Sequence, residues 1–272
     1  MTAEIQKIQE STFPRYPFLD NLRGMTLASM ILYHAVWDLV YIFGMRWEWF
    51  HTFGAYLWQQ SICWTFILLS GFCQGLARSG PHSREKKGFS WRSVKNGLTI
   101  FGAGLLVTAA TLIFMPAQRV VFGVLTLIGS CMLLLVSMKG WLSQIPPAVG
   151  VITSFALFAL LKGVNGGWLG FFDIGIFSLP GWLYANLFTA YLGFPPADFY
   201  STDYFSLLPW LFLYLTGYFL CRLFRQKGEL HLPAQKPLPV FAFMGRNSLI
   251  IYLLHQPLVY GALVCGDVFL SF

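Results

Sequence analysis

His34 and Asp38 stand four residues apart in an otherwise apolar stretch of the chain. On a helix this spacing places both on one face. A carboxylate beside an imidazole raises its basicity and orients its ring, which is the support a general base needs. A pair that only locks helix packing is the competing reading. His255, in Tyr252-Leu253-Leu254-His255-Gln256-Pro257, is the other ionisable group deep in an apolar stretch. It lies about 12 Å along its helix from the start. There it could face His34 across a cavity, or make an interhelical hydrogen bond. Pro257 frees the carbonyl of Leu253, which Gln256 or water could satisfy.

A second set of residues suits anions. Asp20 and Arg23 belong to Leu19-Asp20-Asn21-Leu22-Arg23-Gly24, and Arg246 and Asn247 to Gly245-Arg246-Asn247-Ser248. Both segments open helices. Asn247 or Ser248 fits an N-cap, and helix N-termini favour anions. Arginine suits bidentate phosphate contacts, although anchoring of a membrane helix explains the same residues. The run Arg84-Glu85-Lys86-Lys87 reads as a topogenic or lipid-headgroup segment. His51 lies just before an apolar stretch and is accessible, Asp267 lies near the outer end of the last one, and His82 and His231 fall in polar loops. No phosphate-loop, zinc or Gly-x-Ser-x-Gly pattern is present, so the expected metal content is none. The five cysteines, Cys63, Cys73, Cys131, Cys221 and Cys265, all fall in apolar stretches and read as reduced structural thiols.

Elements that could position these groups follow from composition. The 272 residues are 56% hydrophobic and 11% charged, against about 25% charged in soluble domains. That excludes a disordered chain, a nucleic-acid-binding module and an ordinary cytosolic enzyme. The 27 Phe, 10 Trp and 12 Tyr suit aromatic belts at membrane interfaces. The reading is an all-α polytopic transmembrane helix bundle forming a single domain over residues 1–272. Its seven spans lie at about 24–43, 54–77, 97–115, 120–138, 141–161, 204–221 and 247–270. With the N-terminus in the cytoplasm and the C-terminus outside, only Arg46, Arg119 and Lys162 of the 18 Lys and Arg fall outside. Most of the +7 net charge is therefore topological. Segment 176–194 is apolar enough to cross, but a crossing there would send Arg222, Arg225 and Lys227 outside. Residues 163–203 are therefore expected to form an extracytoplasmic segment with a re-entrant or interfacial helix. They carry Asp173, Asp198 and Asp203 but no Lys or Arg. Residues 1–22 lack an apolar signal core, so the first span is the expected insertion signal. Residues 226–240 form a linker, and Gly97, Gly102 and Gly104 suggest close helix packing. Ionisable residues inside a span are costly and mark function by default, which singles out His34, near mid-membrane, Asp38 one turn further out, and His255.

The ordered segments resemble the heparan-α-glucosaminide N-acetyltransferase catalytic-domain family, in particular its small bacterial members. The matching residues are Leu19–Gly24, His34 with Asp38, Phe66–Gly71, Phe122–Gly129, Asp203–Trp210 and Gly245–Pro257. They cover nearly the whole chain in family order. The resemblance implies transfer of an acetyl group from cytosolic acetyl-CoA to an extracytoplasmic sugar, with a histidine at the centre. Eukaryotic members place that histidine after the first span, in a His-Ala-x-Trp-Asn string. His34-Ala35-Val36-Trp37-Asp38 is similar to the string but lies inside the span, whereas His51 has nearly the family spacing before Phe66–Gly71 without the string. The assignment is divided between them, with His34 favoured. Thr126 stands where relatives often carry His or Gln.

The sequence thus predicts an acyltransferase of the plasma (inner) membrane. His34, oriented by Asp38, is the expected base or nucleophile, with His255 and His51 as further catalytic candidates. Asp20, Arg23, Arg246 and Asn247 are the candidates for holding acyl-CoA. The expected partners are the lipid bilayer, acyl-CoA and a sugar or glycan acceptor, with no nucleic acid. A homo-oligomer is left open. The rival readings are a proton-coupled transporter or flippase and a catalytically silent membrane scaffold.

Overall fold

The computed structural model describes residues 16–77, 91–171, 174–226 and 236–270. Lys7, Arg15, Arg78, Arg84, Lys86, Lys87 and Lys227 lie outside them, as do His82, His231, Asp173 and most of the 226–240 linker. The chain is mostly helical, at 77%. Its helices are α1 (Pro17–Tyr41), α2 (Phe53–Ala77), α3 (Trp91–Phe114), α4 (Val124–Gln144), α5 (Pro147–Leu161), α6 (Leu187–Leu192), α7 (Leu207–Gln226), α8 (Pro239–Arg246) and α9 (Ser248–Leu270). Pro17, Pro147 and Pro239 open three of them, where a missing N–H costs nothing.

The seven expected spans overlap α1 to α5, α7 and α9, with 141–161 beginning in the last turn of α4 rather than at α5. Five of these are long and apolar enough to cross a membrane: α3, α4, α5 with its continuation to Gly166, α7 and α9. α1 and α2 have the length, at 25 residues each, but are not among the five. α1 carries Asp20, Arg23, His34 and Asp38.

Segment 163–203 departs from the helix expected there. It holds an antiparallel hairpin of β1 (Trp168–Phe171) and β2 (Ile174–Ser178), a 3-10 turn at Gly181–Leu183 and the short α6. The hairpin residues are mainly aromatic and β-branched, types that favour a pleated backbone. At six residues α6 cannot cross a bilayer.

The chain divides into two compact units, residues 1–66 with 230–272, and residues 67–229. α2 contributes its first turns to one and its later turns to the other. In the first unit α1 packs on α8 at backbone distance. A Cβ on Gly24 would meet the Phe241 carbonyl oxygen, and one on Gly245 would meet that of Asp20. Buried Asn21 ties the pair further, donating to the Lys236 carbonyl at 3.2 Å and accepting from the Leu238 N–H at 3.0 Å.

In the second unit Gly104 packs on Thr126 and Gly97 on Leu133, while Gly102 faces nothing within 4 Å. Ser154 and Thr216 join α5 to α7 by a 3.0 Å hydrogen bond. Arg222 donates to the carbonyls of Leu142 (2.6 Å) and Ser143 (3.1 Å). Its charge thereby satisfies the carbonyl end of α4, where a cation is favoured. None of the five cysteines is in a disulfide.

Asp203, on the loop before α7, accepts from the Val124 N–H at the start of α4. Burial pushes its carboxyl up to about 6, and that amide bond holds it back. A carboxyl raised on folding favours the folded state when protonated. This contribution is lost as the pH climbs from 3.8 through about 6. Asp203→Asn keeps an acceptor and removes the charge. Its melting temperature should exceed that of the wild type at pH 7, with the gain vanishing near pH 4 in detergent-solubilised thermal unfolding.

Candidate active site

The histidines singled out by sequence meet in the first unit. α1 and α9 pack together, and the rings of His34 and His255 lie 5.0 Å apart between centroids. Tyr33 stands edge-on to His34 at 6.0 Å, and Tyr252 lies 5.4 Å from His255. His255 Nδ1 sits 2.6 Å from the Tyr252 carbonyl oxygen. A carbonyl only accepts, so Nδ1 carries the proton and Nε2 is the bare nitrogen. His255 is 7% exposed, and its Nε2 has no hydrogen-bond partner.

Asp38 makes a different contact from the one expected. It is fully buried, but its Oδ1 accepts from the Gln256 side-chain amide at 2.8 Å rather than from His34. A buried carboxylate takes the donor that reaches it, and Gln256 supplies an N–H from the facing helix. Gln256 is therefore a site residue, whereas the sequence suggested only a partner for the Leu253 carbonyl. Asp38 Oδ2 and Gln256 Oε1 are buried without hydrogen-bond partners, as is His255 Nε2. All three are acceptors. The two helices thus carry three buried acceptors that no donor reaches, and a buried acceptor left unpaired costs about 1–3 kcal/mol. A ligand bearing N–H or O–H groups would satisfy them.

His51 lies elsewhere in the unit. It is exposed, with Nδ1 3.4 Å from the Tyr41 hydroxyl. It lines an open cleft of about 290 Å³ with Tyr33, Trp37, Tyr41, Phe50 and Gln59 among others. Tyr33 borders both this cleft and the ring of His34.

The proposed anion-binding residues gather at the opposite end of α1. Arg23 Nη1 lies 3.5 Å from the Gly245 carbonyl oxygen, and Gly245 itself packs on the Asp20 backbone. Arg246 is exposed. The Asn247 side chain donates to the Phe243 carbonyl at 2.9 Å, and the Asn247 carbonyl accepts from Ile251 as α9 begins. Asn247 thus closes α8 with its side chain and opens α9 with its backbone. Thr126, in the second unit, is buried with its hydroxyl unpaired. Among the described residues no group of three His, Cys, Asp or Glu could hold a metal ion.

Several long apolar helices fit a membrane protein. The chain belongs to the heparan-alpha-glucosaminide N-acetyltransferase catalytic family, whose model matches residues 15–257. No curated protein and no solved structure matches the chain.

Proposed function

We propose that the protein is a membrane acyltransferase that uses His34 and His255 to pass an acyl group, acetyl foremost, from cytosolic acyl-CoA to a sugar or glycan acceptor across the membrane. The chain would cross a bacterial plasma membrane with its N-terminus inside. The observation that carries this reading is the approach of His34 and His255 beside three unpaired buried acceptors. An attacking amine or hydroxyl donates hydrogen bonds, which is what the cluster lacks. His255 Nε2 accepts the proton that the acceptor must lose. The acceptor's nitrogen or oxygen bonds to the acyl carbon, the carbon–sulfur bond breaks, and CoA leaves as its thiol once protonated.

Spacing along the helices supports the donor's path. Arg23 precedes His34 on α1 by a rise of roughly 16 Å at 1.5 Å per residue, and Arg246, the last residue of α8, lies just before the start of α9, which carries His255. Both arginines thus lie toward the N-terminal side of the helices that carry the histidines, and an extended pantetheine arm would bridge such a gap. Arg23 and Arg246 would hold the CoA phosphates, with Asp20 and Asn247 shaping the helix junction around them.

Acetyl-CoA should raise the melting temperature of the purified protein, and Arg246→Gln should weaken that shift without changing the melting temperature of the unliganded protein. The absence of any shift with acetyl-CoA or longer acyl-CoAs at millimolar concentration would overturn the donor assignment.

A further inference from the structure

The hairpin of the second unit is unusual in what it exposes. Trp182 is 77% exposed, Ile174 71% and Phe177 69%, and Phe171, Ile176 and Phe188 are exposed as well. Every residue of β2 is exposed. Apolar side chains exposed this densely along one stretch of chain mark an interaction site.

The segment is nevertheless held firmly at its root. The Tyr184 hydroxyl donates to the Val164 carbonyl at 2.6 Å. Asn165 donates to the Gly193 carbonyl and to the Ser206 hydroxyl, both at 2.9 Å. The Leu179 N–H donates to the Gly167 carbonyl at 2.7 Å. The apolar side chains therefore project from a fixed base.

Three observations identify what covers them. First, β1 packs against α5, one of the five candidate spans. α5 exposes Val149, Ile152 and Phe155, side chains that a membrane helix presents to lipid. The hairpin is thus tied to a candidate membrane span. Second, residues 163–203 contain no Lys or Arg, so attraction to anionic headgroups is not the driving force and apolar burial is. Third, the described residues form a sheet of two strands, and in such a sheet each strand has one edge outside the ladder. Such edges cannot enter hydrocarbon. They fit the headgroup boundary, where exposed aromatic rings also settle.

We propose that strands β1 and β2, with the turn that carries Trp182, form an anchor embedded in the bilayer interface beside α5. It binds neutral lipid through apolar side chains and stays at headgroup depth because its strand edges require water. This inference goes beyond acyl transfer and does not depend on it.

Nitroxide labels on Ile176→Cys and Phe177→Cys, in a Cys265→Ser background with the parent's labelling subtracted, test it in nanodiscs holding one copy each. Molecular oxygen should relax both labels more than a water-soluble nickel chelate does, and replacing neutral by anionic lipid should not change the ratio. Stronger relaxation by the nickel chelate would place the hairpin in water. Shielding from both reagents would mean burial against protein. Either result overturns the proposal. Trp182→Phe supplies an independent reading from a conservative change. The fluorescence lost with Trp182 should be quenched more by lipids brominated near the headgroup than by those brominated deep in the chain. A Trp182 signal that neither lipid quenches would also overturn it.

Discussion

Replacing His255 by alanine should lower kcat for acyl transfer by roughly 10²- to 10⁴-fold, the usual contribution of a positioned general base, with little change in melting temperature. The Tyr252 carbonyl holds the proton on Nδ1 and leaves Nε2 bare, buried and unpaired. A nitrogen in that state adds little to folding, because it forms no bond that the folded protein would lose. It is ready to accept a proton from an incoming amine or hydroxyl. His34→Ala should cause a comparable loss, because its ring stands 5.0 Å from that of His255. Groups that act as a unit are not additive, so the double variant should lose little more than either single one. His51→Ala, in the exposed cleft, should stay within a few-fold of the wild type. Transfer of radiolabelled acetyl in proteoliposomes measures all four variants. Near-normal turnover by His255→Ala would refute the assignment.

Gly245→Val should cost about 3 kcal/mol or more, at the upper end of overpacking effects. A Cβ at residue 245 falls on the Asp20 carbonyl oxygen, and neither backbone can yield without separating α1 from α8. Separation also breaks the two buried bonds of Asn21 to Lys236 and Leu238. Stability and acyl-CoA binding should fall together, since Arg23 and Arg246 sit at this junction. Gly24→Val should behave alike through the Phe241 carbonyl. Thermal unfolding of the purified variants reads the effect, and a melting temperature equal to that of the wild type would contradict the close packing.

Much of this was legible in the sequence because charge is scarce. Helix positions followed from apolar runs, and α1, α2 and α9 begin or end close to the expected boundaries. His34 and His255 stood out as ionisable groups in apolar stretches, and they do meet. The partner of Asp38 was not legible. Four-residue spacing says that His34 and Asp38 share a face, but it cannot say that a facing helix offers a better donor. Gln256 lay beside His255 in the sequence, and only the packing of α9 on α1 revealed its role. The segments Leu19–Gly24 and Gly245–Ser248 read as anion sites, yet their glycines serve first to bring two backbones together. The hairpin was missed because an apolar run of this length fits a helix, a buried strand or an interfacial segment equally well. Its aromatic and β-branched content was the available signal.

The most direct test of the central claim is a structure with CoA bound. The phosphates should lie at Arg23 and Arg246 and the sulfur beside His34 and His255, within reach of Nε2. A thiol found beside His51, or a CoA bound without contact to either arginine, would contradict it.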